Sequence, residues 1–391
     1  MNTTATTVNA DEFVLYAKSM APALKERADE TDDTRKLPDA TISELRKINF
    51  VGASTSPRYG GFDLGFDVIG RASADLAEAC AATAWVASNC AVHSLMVGYF
   101  PTDVQDIVFA ETGNAPFIGN GLKMTAAKAT SVPGGFTLSG RWDFASGIMH
   151  ADWTVVAAIS DLGPKLFLVD KSQFTIDDTW HTHGLRGTGS HDTVVTDAFI
   201  GNEFVLDFEK LGDGTAPGLA DQTNPFFRVP IFSLAGGGII STLIGTGRHA
   251  VQAYEERAMT VPGGWLGVLG ATRQGLQMDL ADASATLAAV EALHWANMDE
   301  IKYKAESGDE ITMDDRVRWR RDETSGVVTI AGLVQKLFAS SGGQALQWRN
   351  QMNRVFRDAT AGSHHVGVAP DLVFPAYSKV RFGVDPEYTV L

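Results

Sequence analysis

The strongest constraint on this 391-residue chain is that its hydrophobic period changes twice. Up to about residue 117 apolar positions recur at helical spacing, as in Phe13, Ala17, Met20 and Leu24, and again in Ile42, Leu45 and Ile48. Between about 118 and 212 the texture turns to short β-rich runs: "GGFTLSGRWDF", "DWTVVAAIS", "KLFLVD", "FTIDDTW" and "DTVVTDAFI". Turn residues such as Pro133-Gly134-Gly135 separate them. Beyond the loop "GDGTAPGLADQTNPFF", long helical periodicity returns. A period of 3.6 does not sit as a strand, nor a period of two as a helix, so the order helix, sheet, helix is imposed. It predicts an α+β chain, mostly α, in three parts. These are a helical domain over 1–117, a compact antiparallel β barrel or sandwich over 118–212, and a helical bundle with a tail over 213–391. The run "ASADLAEACAATAWVASNCAVHSLMVGYF" reads as one long buried helix ending near Pro101.

Composition narrows the function. Forty-five per cent hydrophobic residues build a sizeable core, and 32 basic against 47 acidic residues leave a net charge of −15. Without a Lys/Arg run, nucleic acid and anionic membrane are excluded as partners. The only cysteines, Cys80 and Cys90, fall on the predicted long helix ~15 Å apart, beyond disulfide reach, which fits a reducing cytoplasm. No basic-then-apolar leader and no run of ~18 apolar residues marks export or insertion, so a cytoplasmic location is expected.

Two segments carry the chemistry. In "GRWDFASGIMHADW", residues 140–153, a serine on a bend can hydrogen-bond a ring nitrogen while flanking aromatics pack a planar face. Taken alone, the stretch reads equally as a β-turn with core aromatics. In "HGLRGTGSHD", residues 183–192, closely spaced glycines permit backbone to approach a ligand, a signal that is weak by itself. His93 interrupts an apolar helix, as a satisfied core residue or as a site group. His181 and His183 lack a third ligand at suitable spacing, so no metal is expected.

Together these segments, with "RQGLQMDLADA" and "SSGGQALQ…NRVFRDATAGSHH", resemble in order and spacing the acyl-CoA dehydrogenase fold. More narrowly they resemble its flavin-dependent monooxygenase branch, the oxygenase components of two-component aromatic hydroxylases. The resemblance implies a homotetramer with a C-terminal four-helix bundle and flavin between the β domain and the bundles. Ser146 matches the hydroxyl residue that faces flavin N5, with Trp142 and Phe144 in the wall against the ring. Arg257, Gln274 and Gln277 match positions that contact flavin phosphate or a neighbouring subunit, and Gly342, Gly343 and Gln344 contribute across an interface.

Acyl-CoA dehydrogenases need a glutamate base, and at its two family positions this chain has Val366 and Pro230. A Thr-Glu-x-x-x-Gly-Ser-Asp-like segment is also missing from "FIGNGLKMTAAKATSVPGG". Instead His365 stands eight residues after Arg357, where the monooxygenases keep a histidine beside the flavin, and an imidazole of near-neutral pKa can manage the peroxide proton. His93 matches a position that contacts substrate or hydroperoxide. The resemblance therefore implies hydroxylation or epoxidation of a small aromatic or heteroaromatic compound, phenol- or indole-like, through a C4a-hydroperoxyflavin made from reduced FMN or FAD and O2. No G-x-G-x-x-G unit for a nicotinamide is evident, so a separate NAD(P)H flavin reductase is implied. The alternatives are an FAD-dependent acyl-CoA dehydrogenase-type enzyme, which lacks its base here, and a non-catalytic flavin-fold binding subunit, which would have no need of Ser146 or His365.

Overall fold

The computed structural model describes residues 8–110, 115–234, 236–264 and 267–386. Its helices before the sheet are α1 (Ala10–Ser19), α2 (Ala21–Glu26), α3 (Ala28–Thr34), α4 (Asp39–Lys47), α5 (Phe66–Ala77), α6 (Ala81–Val97) and α7 (Thr102–Ala110). The alanine-rich run is thus two helices rather than one. Cys80, at φ −154° and ψ 104°, is extended backbone that no helix contains, and it precedes the first residue of α6. Cys80 and Cys90 are therefore not on a common helix, and both are free and buried. No helix among the described residues is long and apolar enough to cross a membrane.

The strands β1 (Ile118–Gly121), β2 (Ala127–Val132), β3 (Gly135–Trp142), β4 (Trp153–Ser160), β5 (Gly163–Asp170), β6 (Thr175–Asp177), β7 (Asp192–Gly201) and β8 (Val205–Asp207) form one sheet. Its order is β6-β7-β3-β2-β4-β5-β8, with β1 also against β4. The sheet is mixed, where an antiparallel one was expected: β1 and β2 both run parallel to β4. The cause is the connection over residues 143–152. A tight turn would have laid β4 antiparallel beside β3, whereas this longer crossover carries it past β3 to the far side of β2. The segment that bears Ser146 is that crossover.

After the sheet come α8 (Gly237–Thr260), α9 (Gln274–Ser307), α10 (Met313–Ser340), α11 (Gln351–Ser363) and α12 (Pro370–Arg381). Between α8 and α9 lies a small hairpin, β9 (Pro262–Gly263) and β10 (Val268–Leu269). Ile240, Leu243 and Ile244 of α8 pack with Val327, Ile330 and Val334 of α10 and Val355 and Ala359 of α11 in one apolar core. By contrast α9 leaves Met278, Leu293 and Tyr303 exposed.

One buried cation ties the three layers together. Arg357 of α11 is 1% exposed, and its guanidinium makes a two-pronged bond to Asp32 of α3, Nη1 to Oδ1 at 3.1 Å and Nη2 to Oδ2 at 2.7 Å. Nη1 also donates to the His183 carbonyl at 3.0 Å, Nε donates to Asn353 at 2.8 Å, and the Trp348 ring lies 3.8 Å from the guanidinium carbon. Removing one partner strands the other charge away from water. Asp32→Ala should therefore cost roughly 3–5 kcal/mol in urea unfolding, while Asp32→Leu combined with Arg357→Met should recover most of it. A single-variant loss below about 1 kcal/mol would show that water reaches the pair.

Candidate active site

Positive backbone angles at Phe144 (φ 66°) and Gly147 (φ 73°) turn the crossover back on itself. Only glycine fits at 147, since a Cβ there would stand 2.9 Å from Val86 Cγ1 on α6. The Ala145 N–H donates to the His191 carbonyl and the Gly147 N–H to the Thr188 carbonyl, which fixes Ser146 against the 183–191 loop. That loop is anchored from α11: Asp358 Oδ1 accepts from the Leu185 N–H at 2.7 Å, holding Leu185 at φ 48°.

Within this frame Trp85 of α6 donates its indole N–H to Ser146 Oγ at 3.0 Å. Ser146 meets Ser190 at 2.8 Å, Ser190 meets Thr188 at 2.7 Å, and the Thr188 hydroxyl donates to the Leu185 carbonyl at 2.8 Å. The glycines of the loop serve packing rather than ligand approach. A Cβ at Gly184 would lie 1.9 Å from the Arg357 carbonyl oxygen, and one at Gly187 would lie 2.2 Å from Thr31 Cγ2.

The His365 ring stands edge-on to Trp85, 5.6 Å between centroids. The Gly367 N–H donates to its Nδ1 at 3.0 Å, so the neutral ring carries its hydrogen on Nε2, which makes no hydrogen bond among the described residues. Enclosure by protein, with Arg320 adding its positive charge, pushes His365 down to about 4, against the near-neutral value expected from sequence. Arg320 donates to the Gly367 carbonyl and pairs with Glu323, whose burial raises its carboxyl to about 7. His93, two turns beyond Trp85 on α6, has the opposite tautomer. Its Nδ1 donates to the Ile118 carbonyl at 2.8 Å, leaving a bare Nε2, and burial with repulsion from His365 lowers it to about 4. One ring thus offers N–H and its neighbour a lone pair.

Other expected residues separate. Trp142 is wholly buried in the sheet core and donates to the Ala157 carbonyl at 2.9 Å, so it cannot line the wall with Phe144, which is 64% exposed and packs edge-on to Trp180. Arg257, Gly342, Gly343 and Gln344 border a cavity of about 310 Å³ near the hairpin, where Arg257 donates to the Ser341 carbonyl at 2.8 Å. Gln274 and Gln277 do not line it; Gln277 is turned back to the Ala271 carbonyl. This cavity lies at the C-terminal end of α8, whereas Gly367, beside His365, is placed so that a Cβ on it would stand 3.3 Å from Ile239 Cδ1 near the start of α8. At 1.5 Å per residue the two clusters are ~27 Å apart within one chain.

Sequence reasoning missed Trp85, Thr188 and Ser190, the Arg320–Glu323 pair and the anchoring role of Asp358. Trp85, Asn89 and His93 do share one helix face at spacing four, which was a usable signal.

Residues 238–370 match the family acyl-CoA dehydrogenase, C-terminal domain. The flavin-dependent monooxygenase oxygenase subunit HsaA of Rhodococcus jostii is 30% identical over 372 residues, 94% of this chain and 97% of that one. The oxygenase component of the FADH2-dependent resorcinol hydroxylase of a Rhizobium species is 30% identical over 388 residues, 94% of this chain and 93% of its own. The crystal structure of the HsaA monooxygenase from M. tuberculosis superposes with a TM-score of 0.91 at 28% identity, covering 98% of this chain and 100% of that one.

Neutral buried histidines have a consequence for stability. His93, His150, His249 and His365 are lowered to about 4 and His294 to about 3, chiefly by burial. Once unfolded, each takes up a proton near 6.5. The unfolded chain therefore binds more protons over the window from pH ~6.5 to ~4, and stability falls as pH falls through it. Glu323 and Asp358, raised by burial to about 7 and about 6, act in the opposite sense, since their contribution is lost as pH rises. The histidines outnumber them, so thermal scans should give a melting temperature that drops between pH 6.5 and 4.5. A flat or rising profile would contradict neutral histidines in the site.

Proposed function

Since this chain belongs to the family of flavin-dependent monooxygenase oxygenase subunits, and is an enzyme of that kind, we propose that it transfers one oxygen atom of O2 to a small phenol- or indole-like aromatic ring. The reduced flavin, FMN or FAD, comes from a separate NAD(P)H-dependent reductase. The observation that carries this reading is the grouping of the Ser146 hydroxyl, Trp85 and two neutral histidines of opposite tautomer at the sheet–helix junction. These residues fit a flavin: the Ser146 oxygen keeps one open acceptor position, and His365 Nε2–H is unpartnered among the described residues. A bound reduced flavin supplies the two electrons and the ring carbon that activate O2.

The protein's own groups do the rest. Ser146 accepts an N–H from the ring edge. His365, lowered to about 4, is a neutral ring at working pH, and because Nδ1 accepts from the Gly367 N–H its one remaining hydrogen, on Nε2, is presented to oxygen on which negative charge develops. His93 Nε2 accepts from a phenolic O–H or an indole N–H and so orients the acceptor ring. The similarity to a resorcinol hydroxylase, whose substrate is a phenol, supports that assignment. The buried apolar face of α6, with Val86, Cys90 and Val97, excludes water that would divert the oxygen to hydrogen peroxide.

The ~27 Å between the clusters supports a homotetramer in which α8 to α11 act as a four-helix bundle and the Arg257 cavity serves the flavin of a neighbouring copy. The exposed apolar side chains of α9 supply the contact.

His365→Ala should leave flavin binding nearly intact and lower product formation roughly 10²–10³-fold, the span for loss of one preorganised donor, with the consumed oxygen appearing as hydrogen peroxide. His364→Ala, whose ring is exposed and turned back to the Thr360 carbonyl, should keep normal coupling. If His364→Ala uncouples and His365→Ala does not, the assignment fails. Light scattering should report four chains at micromolar concentration, and a stable single chain would exclude the shared site.

A further inference from the structure

The hydrogen bonds around Ser146 can be counted to completion. An indole N–H only donates and a backbone carbonyl only accepts. Trp85 stands at one end of the chain of contacts and the Leu185 carbonyl at the other, with the hydroxyls of Ser146, Ser190 and Thr188 between them. The four links need four hydrogens, and the indole with the three hydroxyls has four. Every hydrogen is therefore in use and every direction is set: Trp85 gives to Ser146, Ser146 to Ser190, Ser190 to Thr188, and Thr188 to Leu185. Each of these side chains is at least nine-tenths buried, so bulk water does not resupply the line. What Ser146 has left for a ligand is a lone pair.

We propose that Trp85, Ser190 and Thr188 set the redox form of flavin that the site retains, by holding Ser146 as an acceptor. This rests on the reading that Ser146 faces the flavin's N5. In the reduced ring N5 carries hydrogen and matches the lone pair without disturbing the line. In the oxidised ring N5 is itself an acceptor, and Ser146 can reach it only by taking its hydrogen away from Ser190. The line then reverses or opens, and one buried link is lost. Losing one net hydrogen bond corresponds to roughly 3- to 10-fold in affinity. The site so built takes flavin as the reductase delivers it and releases it once oxidised.

Thr188→Val tests this away from the ligand. It removes the hydrogen sink, while the Leu185 carbonyl keeps the Trp180 indole N–H at 2.9 Å. Ser190 can then donate to Ser146, whose own hydrogen is set free to point outward. Anaerobic titrations with FAD, oxidised or dithionite-reduced, should show the wild-type preference for the reduced form narrowing about 3- to 10-fold in Thr188→Val. The change should come from tighter binding of oxidised FAD, with reduced FAD unchanged. Ser190→Ala should act in the same direction and stands in if the valine variant does not fold. A wild-type ratio in both variants, with Ser146→Ala still altering it, overturns the proposal and leaves the site reading intact. If Ser146→Ala changes the affinity of neither form, Ser146 does not meet the flavin, and both fall.

Discussion

The arrangement at the site depends on a guanidinium that has no access to water. Arg357 is held by Asp32 from the N-terminal helices and by the His183 carbonyl from the sheet's loop, and it sits on α11 beside Asp358. Asp358 in turn pins Leu185 in a left-handed conformation, and the Leu185 carbonyl ends the line of hydroxyls that fixes Ser146. The same helix ends at Ser363, two residues before His365. A buried ion pair is a weak source of net stability, because desolvation offsets most of its attraction. Its value here is geometric, since it admits only one relative placement of three layers.

The chemistry of the site follows from low polarity rather than from charge. His93 and His365 are kept neutral by burial, and each is given its tautomer by one backbone group. Arg320, paired with Glu323, donates to the Gly367 carbonyl two residues beyond His365. A histidine that stays neutral near neutrality offers its surroundings an oriented N–H dipole or lone pair rather than an acid in equilibrium with solvent.

The period changes made the succession of helices, strands and helices legible, because hydrophobic spacing is a property of the local chain. Order and spacing of motifs singled out Ser146 and His365, and the fold brings both against Trp85. Strand direction was not legible, since parallel and antiparallel strands share the period of two; the crossover at 143–152 decides it. Trp142 and Phe144 stand two apart and should face one side of a strand, but the positive φ at Phe144 ends the strand and splits them. The break at Cys80 has no Gly or Pro to announce it. Arg320 and Glu323, three apart on a helix, read like an ordinary surface pair, and only tertiary burial makes them otherwise.

The length of α8 also bears on genetics. The Ser146–His365 cluster and the Arg257 cavity lie toward its two ends, ~27 Å apart. In an assembly that joins one copy's ring site to another's cavity, a lesion at Ser146 and a lesion at Arg257 disable different halves of different centres. Two alleles that are each silent alone can then complement when co-expressed, because some mixed assemblies contain one centre with both halves intact. For this fold, inheritance of activity would follow the mixing of subunits rather than the soundness of any one chain.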